Sequence, residues 1–312
     1  MGKSSFRKAD KVEVKILVDN YTDLLLLQSD GVMQRPPIPR DVTPLAEHGL
    51  SVLIRVCAGS EEHCMLMDAS LTPVALLHNL EVYQVDLNSI EAVVLSHGHI
   101  DHFGGLMGFL GKAPRGQELI LHPDAFLPRR LNIPGVGPQR EMPTLNETAL
   151  LEVGVNIHKI RGYSTLCSDL VLVLGEVERR TDFERGFPWA EVKMDDTWSV
   201  DPFNDDQGVA INVKDKGLVV LGGCSHAGII NTVNYAKKVA GINKVHAVLG
   251  GFHLTGPIFE PLIEPTIEEM KKIDPDYIVP MHCTGWKAIN QFAKEMPEKF
   301  FLNSVGTSYV FE

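Results

Sequence analysis

Apolar stretches of four to seven residues alternate with turn signals along most of the chain. Their length and alternation predict strands over 12–18, 51–56, 64–67, 92–96, 118–121, 170–174, 209–213, 218–221, 244–249 and 277–280. Apolar positions at helical spacing predict helices over 74–79, 102–110, 229–239, 267–273 and 286–294. Strands outnumber helices, and several strands run together before each helix. That order fits a layered α/β sandwich better than a plain βαβ repeat.

One stretch, 125–202, breaks the pattern. Pro, Gly, Arg and Trp follow one another there with little periodicity. Seven of the twelve arginines fall in it: Arg129, Arg130, Arg140, Arg161, Arg179, Arg180 and Arg185. Two readings stand. It is an insertion or lid within a single domain over 1–312, carrying groups that bind substrate. Alternatively it is a solvated excursion whose arginines pair with local acids such as Glu176, Glu178 and Glu184.

Composition narrows the classes. Hydrophobic residues at 44% and charged residues at 22% fit a globular chain and exclude a disordered one. Twenty-nine basic against forty acidic residues give a net charge of −11. That balance argues against broad binding to nucleic acid or to an anionic membrane. No apolar run approaches the roughly 20 residues needed to span a bilayer. The basic start of the chain has no apolar segment behind it, so no signal peptide is expected. Five cysteines, an odd number with no CxxC, fit a reducing compartment, and a cytoplasmic location is expected.

The chemistry concentrates in Ser96-His97-Gly98-His99-Ile100-Asp101-His102-Phe103-Gly104-Gly105, at the end of an apolar strand. Twelve histidines occur in 312 residues, yet three fall within the six positions 97–102. In extended chain, residues two apart share a side, so His97 and His99 can converge on one ion. Asp101 and His102, where a helix begins, can face a second. Gly98 removes a side chain at the tightest point, while Gly104 and Gly105 permit close packing of the helix. Imidazole and carboxylate ligands suit Zn²⁺, and also Mn²⁺ or Fe²⁺.

Further ligands must come from elsewhere. His226 and His282 each follow an apolar strand and are expected as ligands. His253 stands after a third strand and could be a ligand, a substrate contact or a hydrogen-bonding neighbour of the ligands. Which of Asp205, Asp206, Cys224 and His226 complete the site stays open, with His226 preferred. His48, His63, His78, His122, His158 and His246 have no comparable context and read as ordinary residues.

His97-x-His99-x-Asp101-His102 resembles the signature of the metallo-β-lactamase superfamily. The resemblance extends to the branch of archaeal methanopterin-pathway dihydropteroate synthases and of many bacterial metal-dependent hydrolases. It is carried by His48-Gly-Leu-Ser51, the 96–106 and 175–184 segments, Asp205-Asp-Gln207, Gly223-Cys-Ser-His-Ala-Gly228, Gly250-Gly-Phe-His253 and His282-Cys-Thr-Gly285. It implies a four-layer αββα sandwich with two divalent metal ions, zinc foremost, on its rim. One ion would take His97 and His99, and the other Asp101, His102 and His282. Asp68-Ala69-Ser70 stands where relatives usually carry Asp-x-Gly.

Two ions sharing a water supply hydroxide near neutral pH and polarise a substrate oxygen. The leading expectation is therefore hydrolysis of an ester, lactone, amide or phosphoester with an anionic portion. Asp101 would orient the hydroxide, and His253 would donate to the oxyanion or leaving group. The alternative is a transferase joining a dihydropterin pyrophosphate to an arylamine phosphate. A non-catalytic metal-binding sensor on the same fold is a third possibility, opposed by the intact signature. The expected partner is a small anionic molecule, and the sequence is silent on oligomeric state.

Overall fold

The computed structural model describes residues 6–37 and 41–312. Residues 1–5, which open the stretch read for a leader, lie outside the described residues. Two large sheets stack face to face. The first has eight strands, in the order Asn156–Lys159, Glu118–Leu121, Ala92–Val94, Glu61–Met67, Ser51–Ala58, Lys11–Val18, Ser308–Phe311 and Met33–Gln34. The second has the path Ser164–Leu166, Val171–Val173, Val209–Val213, Gly217–Gly222, Val245–Gly251 and Tyr277–Met281, with Lys8–Ala9 added alongside Val209–Val213.

Period-two patterning decides which side chains face which layer. Met65 and Met67 point into the core between the sheets, while Cys64 and Leu66 face helices outside. Val219 and Leu221 join the same inner core, whereas Leu218 and Val220 face outward. Helices Pro73–Val82 and Leu106–Leu110 cover the first sheet; Ile229–Ala240, Ile263–Ile273 and Trp286–Glu295 cover the second. The result is the expected αββα sandwich. Among the described residues no helix is long and apolar enough to cross a membrane.

The predicted helix over 102–110 is two short helices, Ile100–Phe103 and Leu106–Leu110. Gly104 and Gly105 separate them, and the Gly105 amide donates to the Ala69 carbonyl at 2.9 Å instead of continuing the turn. The strand Ser308–Phe311 has no counterpart in the sequence reading. It is only four residues long, but Tyr309 and Phe311 are fully buried between the sheets. The edge strand Asn156–Lys159 is mostly exposed and carries no apolar alternation to detect.

The irregular stretch 125–202 divides into parts with different roles. Asn156–Lys159 joins the first sheet, and Ser164–Leu166 and Val171–Val173 join the second. Only Arg129–Leu131, Arg140–Glu141, Ala190–Met194 and Thr197–Val200 form a separate four-stranded sheet. Most of its arginines are engaged locally. Arg130 pairs with Glu191 at 2.5 Å and lies over the Trp198 ring, Arg161 pairs with Asp124 and Glu176, and Arg180 pairs with Glu178.

Strand direction gathers the functional loops. Glu61–Met67 and Ala92–Val94 run parallel in the first sheet; Gly217–Gly222, Val245–Gly251 and Tyr277–Met281 run parallel in the second. Their carboxyl ends carry Asp68, the 96–102 segment, Cys224 to His226, His253 and His282. Parallel neighbours necessarily deliver their exit loops to the same edge, and here both sheets deliver them to one rim.

Candidate metal centre

Two groups of donors converge on that rim. In the first, His97, His99 and His226 each bring a ring nitrogen within 4.8 Å of the others. Their ring centroids are 4.6, 4.8 and 4.9 Å apart. The Nε2 atoms of His97 and His99 and both ring nitrogens of His226 are buried without a hydrogen-bond partner. Burial holds all three imidazoles below their ordinary pKa, His99 to about 3, and the neighbouring histidines push His97 and His226 the same way. Neutral imidazoles with free lone pairs are what a cation requires.

In the second group Asp101, His102, Cys224 and His282 lie within the same mutual distance. Asp101 Oδ2 is 3.3 Å from His282 Nε2 and 3.7 Å from His102 Nε2, and His102 Nε2 is 3.2 Å from Cys224 Sγ. Burial would raise the Asp101 pKa, but the charges of His102 and His282 hold it well below the usual carboxylate range. Burial would lower His102, but Asp68 and Asp101 outweigh it and raise the ring to about 9.

The support beneath these groups comes from elsewhere in the chain. Asp68 is fully buried and accepts from His102 Nδ1 at 2.6 Å, from the Ser96 amide at 2.7 Å and from Ser96 Oγ at 2.7 Å. It fixes the His102 tautomer so that Nε2 faces the site. The turn after it keeps its form without glycine: Ser70 takes φ 61° and its hydroxyl donates to Glu47. A left-handed residue other than Gly costs about 1–2 kcal/mol, and the same conformation recurs at Ser225, His253 and His282. His282 is clamped from the other sheet. Its amide donates to Asp19 Oδ1 at 2.9 Å, and its carbonyl accepts from Asn20 Nδ2 at 3.1 Å.

The four residues left open lie in different places. His226 sits with His97 and His99, while Cys224 sits with the second group and also within reach of His226 and His253. Asp205 instead accepts from the Gly98 amide at 2.8 Å and pairs with buried Arg129 at 2.8 Å. Asp206 accepts from the Ala227 amide at 2.9 Å. Both acids brace the loops that carry the donors. Gly98 is required here, because a Cβ would lie 2.2 Å from the Ala125 carbonyl oxygen and 2.6 Å from Arg129 Nη1.

His253 packs 4.2 Å from the His226 ring and 4.5 Å from Phe259. A narrow cavity of about 20 Å³ opens beside His226 and His253 and is lined by Glu184 and Arg185. The sequence reading passed over Asp68, Ser96 and His48 as site residues. His48 Nε2 lies 3.5 Å from Asp101 Oδ2, with its ring 5.2 Å from that of His282. Its place in the segment 48–51 was the available signal. For Asp68 the signal was a carboxylate directly after a buried strand.

The Metallo-beta-lactamase superfamily matches residues 46–151, which include Asp68 and the 97–102 motif. The 7,8-dihydropterin-6-methyl-4-(beta-D-ribofuranosyl)-aminobenzene-5'-phosphate synthase of Methanocaldococcus jannaschii is 34% identical over 264 residues, covering 82% of this chain and 87% of its own. A solved metal-dependent hydrolase of the β-lactamase superfamily has a TM-score of 0.73 at 24% identity, covering 96% of this chain and 98% of its own. Zn²⁺-bound PqqB from Methylobacterium extorquens has a TM-score of 0.52 at 13% identity, covering 96% and 99%. These two likenesses concern the fold. The family match and the 34% identity to the archaeal synthase over most of both chains show that the chain belongs to the metallo-β-lactamase superfamily, in the branch that includes that synthase.

Proposed function

We propose that the protein is a metal-dependent hydrolase of an ester, lactone, amide or phosphoester that carries an anionic group. The observation that carries this reading is the set of buried imidazole nitrogens on His97, His99 and His226 that lack any partner. Three neutral nitrogens facing one another, beside a carboxylate, two more imidazoles and a thiol, fit divalent cations and best fit zinc. His97, His99 and His226 would hold one ion; Asp101, His102, His282 and Cys224 would hold the other. Bound ions of this kind supply Lewis acidity toward a substrate oxygen and lower the pKa of water.

The chain's own groups do the rest. Asp101, the most solvent-accessible member of its group, accepts a hydrogen bond from the incoming nucleophile and orients it. His253, in the lining of the cavity, donates to the leaving group. Arg185, in the cavity wall, holds the anionic portion of the substrate. The experiment is His99→Ala and His282→Ala, with metal per chain and hydrolysis of a panel of phosphoesters and lactones read together. Both should fall in each variant; full metal content in both would overturn the ligand assignment.

A second reading is supported by the 34% identity to the archaeal synthase. In it the same centre serves displacement of pyrophosphate from a dihydropterin by an arylamine phosphate. A cavity beside His282, walled by Tyr21 and Trp286, offers planar faces to such a heteroaromatic ring. Incubating the protein with both co-substrates, against the pterin pyrophosphate in water alone, separates the two. Coupled product only with the arylamine means transferase.

A further inference from the structure

The rim opposite the centre holds another set of donors. His63, in the strand Glu61–Met67, Glu91, just before the strand Ala92–Val94, and Cys167, in the turn between Ser164–Leu166 and Val171–Val173, each bring one donor atom within 4.8 Å of the others. His63 Nδ1 lies 2.8 Å from Glu91 Oε2, and His63 Nε2 is buried with no hydrogen-bond partner. Glu91 and His97 stand at opposite ends of one short strand. At about 3.3 Å per residue, the two sets are roughly 20 Å apart.

From this we infer a second metal site, formed by His63, Glu91 and Cys167 and suited to a thiophilic divalent cation such as Zn²⁺. A nitrogen, a carboxylate oxygen and a sulfur make a donor set that zinc accepts and that calcium and magnesium do not favour. Glu91 is about half exposed, which gives an ion a path in and leaves a coordination position for water. The turn bearing Cys167 is held in one shape. Cys167, Ser168 and Asp169 all take left-handed backbone, with φ of 53°, 52° and 67°. Arg7 donates to the Ser168 carbonyl at 3.0 Å and, through its amide, to the Asp169 carbonyl at 2.9 Å. Its guanidinium also pairs with Glu61 at 2.8 Å. The thiol is thus presented in fixed position to His63 across the gap between sheets. His63 and Glu91 belong to the first sheet and Cys167 to the second, so the ion staples the open edge of the sandwich. It takes no part in the chemistry at the other rim, and the inference does not depend on the activity proposed above.

The test strips the full-length protein with a chelator, reloads it with Zn²⁺ alone, desalts it and measures metal per chain. Cys167→Ser and His63→Gln should each hold one equivalent fewer than the unmodified protein, with the activity of the main centre unchanged. Equal metal content in all three overturns the site. A readout that needs no variant is the alkylation of Cys167 in the unmodified protein, followed by mass spectrometry with and without Zn²⁺. Protection by Zn²⁺ is expected, and labelling that ignores the metal overturns the inference. In a Cys224→Ser background, Co²⁺ should still give a thiolate charge-transfer band that Cys167→Ser then abolishes. Absence of that band before the second substitution would also refute it.

Discussion

Asp68→Asn is the sharpest probe of the centre, because it changes one atom in a fully buried residue that touches no solvent. The carboxylate accepts three hydrogen bonds, from His102 Nδ1 and from the amide and hydroxyl of Ser96. An amide of the same shape can still accept from the Ser96 amide, but its NH₂ now faces His102 Nδ1. Two donors cannot meet, so the His102 proton moves to Nε2. That atom sits 3.2 Å from Cys224 Sγ and is the one proposed to bind metal. The lone pair the ion needs is lost. Hydrogen bonds to a charged group are worth about 1.5–3 kcal/mol, which sets the expected loss of stability in the metal-free protein. Removing a carboxylate behind a liganding histidine typically weakens metal binding about 10–100-fold. The assay is a competitive chelator titration resolved into two sites, alongside urea unfolding of the metal-free protein. The group containing His102 should weaken while the group of His97, His99 and His226 holds its affinity. Affinity within about threefold of the unmodified protein at both sites, well under the range for such partners, would refute the reasoning.

Other outcomes follow from the same geometry. Gly98→Ala places a Cβ 2.2 Å from a backbone oxygen; overpacking of this kind costs about 1–3 kcal/mol, and unchanged urea unfolding would contradict it. Glu184 is buried, with its carboxyl pushed up to about 7 by burial from an ordinary 4.5, against donation from the Ile230 and Asn231 amides. Between those two pH values the folded chain keeps a proton that the unfolded chain has released, so stability falls as pH rises through the window. An interval of that width corresponds to about 3 kcal/mol. Glu184→Gln should remove that fall, and denaturation curves at about pH 5 and pH 8 whose difference from the parent does not change with pH would count against it. Chelating the bound metal should lower the unfolding free energy by about 4 kcal/mol where free metal had stood a thousandfold above its dissociation constant. An unshifted melting curve after verified metal removal would contradict that.

Much of the centre was legible because its first four donors are local. Spacing alone brings His97, His99, Asp101 and His102 together. His226 and His282 were legible for a related reason, as each directly follows a predicted strand. The rest depends on contacts between distant segments. Nothing in the string of residues says that Asp68 lies under His102, since that follows from two neighbouring strands running parallel. Nor does it say that Asp205 turns toward Gly98 and Arg129 instead of toward a metal. The left-handed backbone at His253 and His282 was equally hidden, because tertiary packing imposes it against local preference. The arginines lie together in the string of residues yet enter separate ion pairs, because the stretch is divided among three sheets.

The donors arrive from both halves of the molecule, with the early motif on one sheet and Cys224, His226 and His282 on the other. Neither half alone presents either donor group whole, so in the proposed centre cation capture would await their docking. An ion so held would be a late witness of assembly, and its rate of uptake during refolding would measure how quickly the two halves find each other.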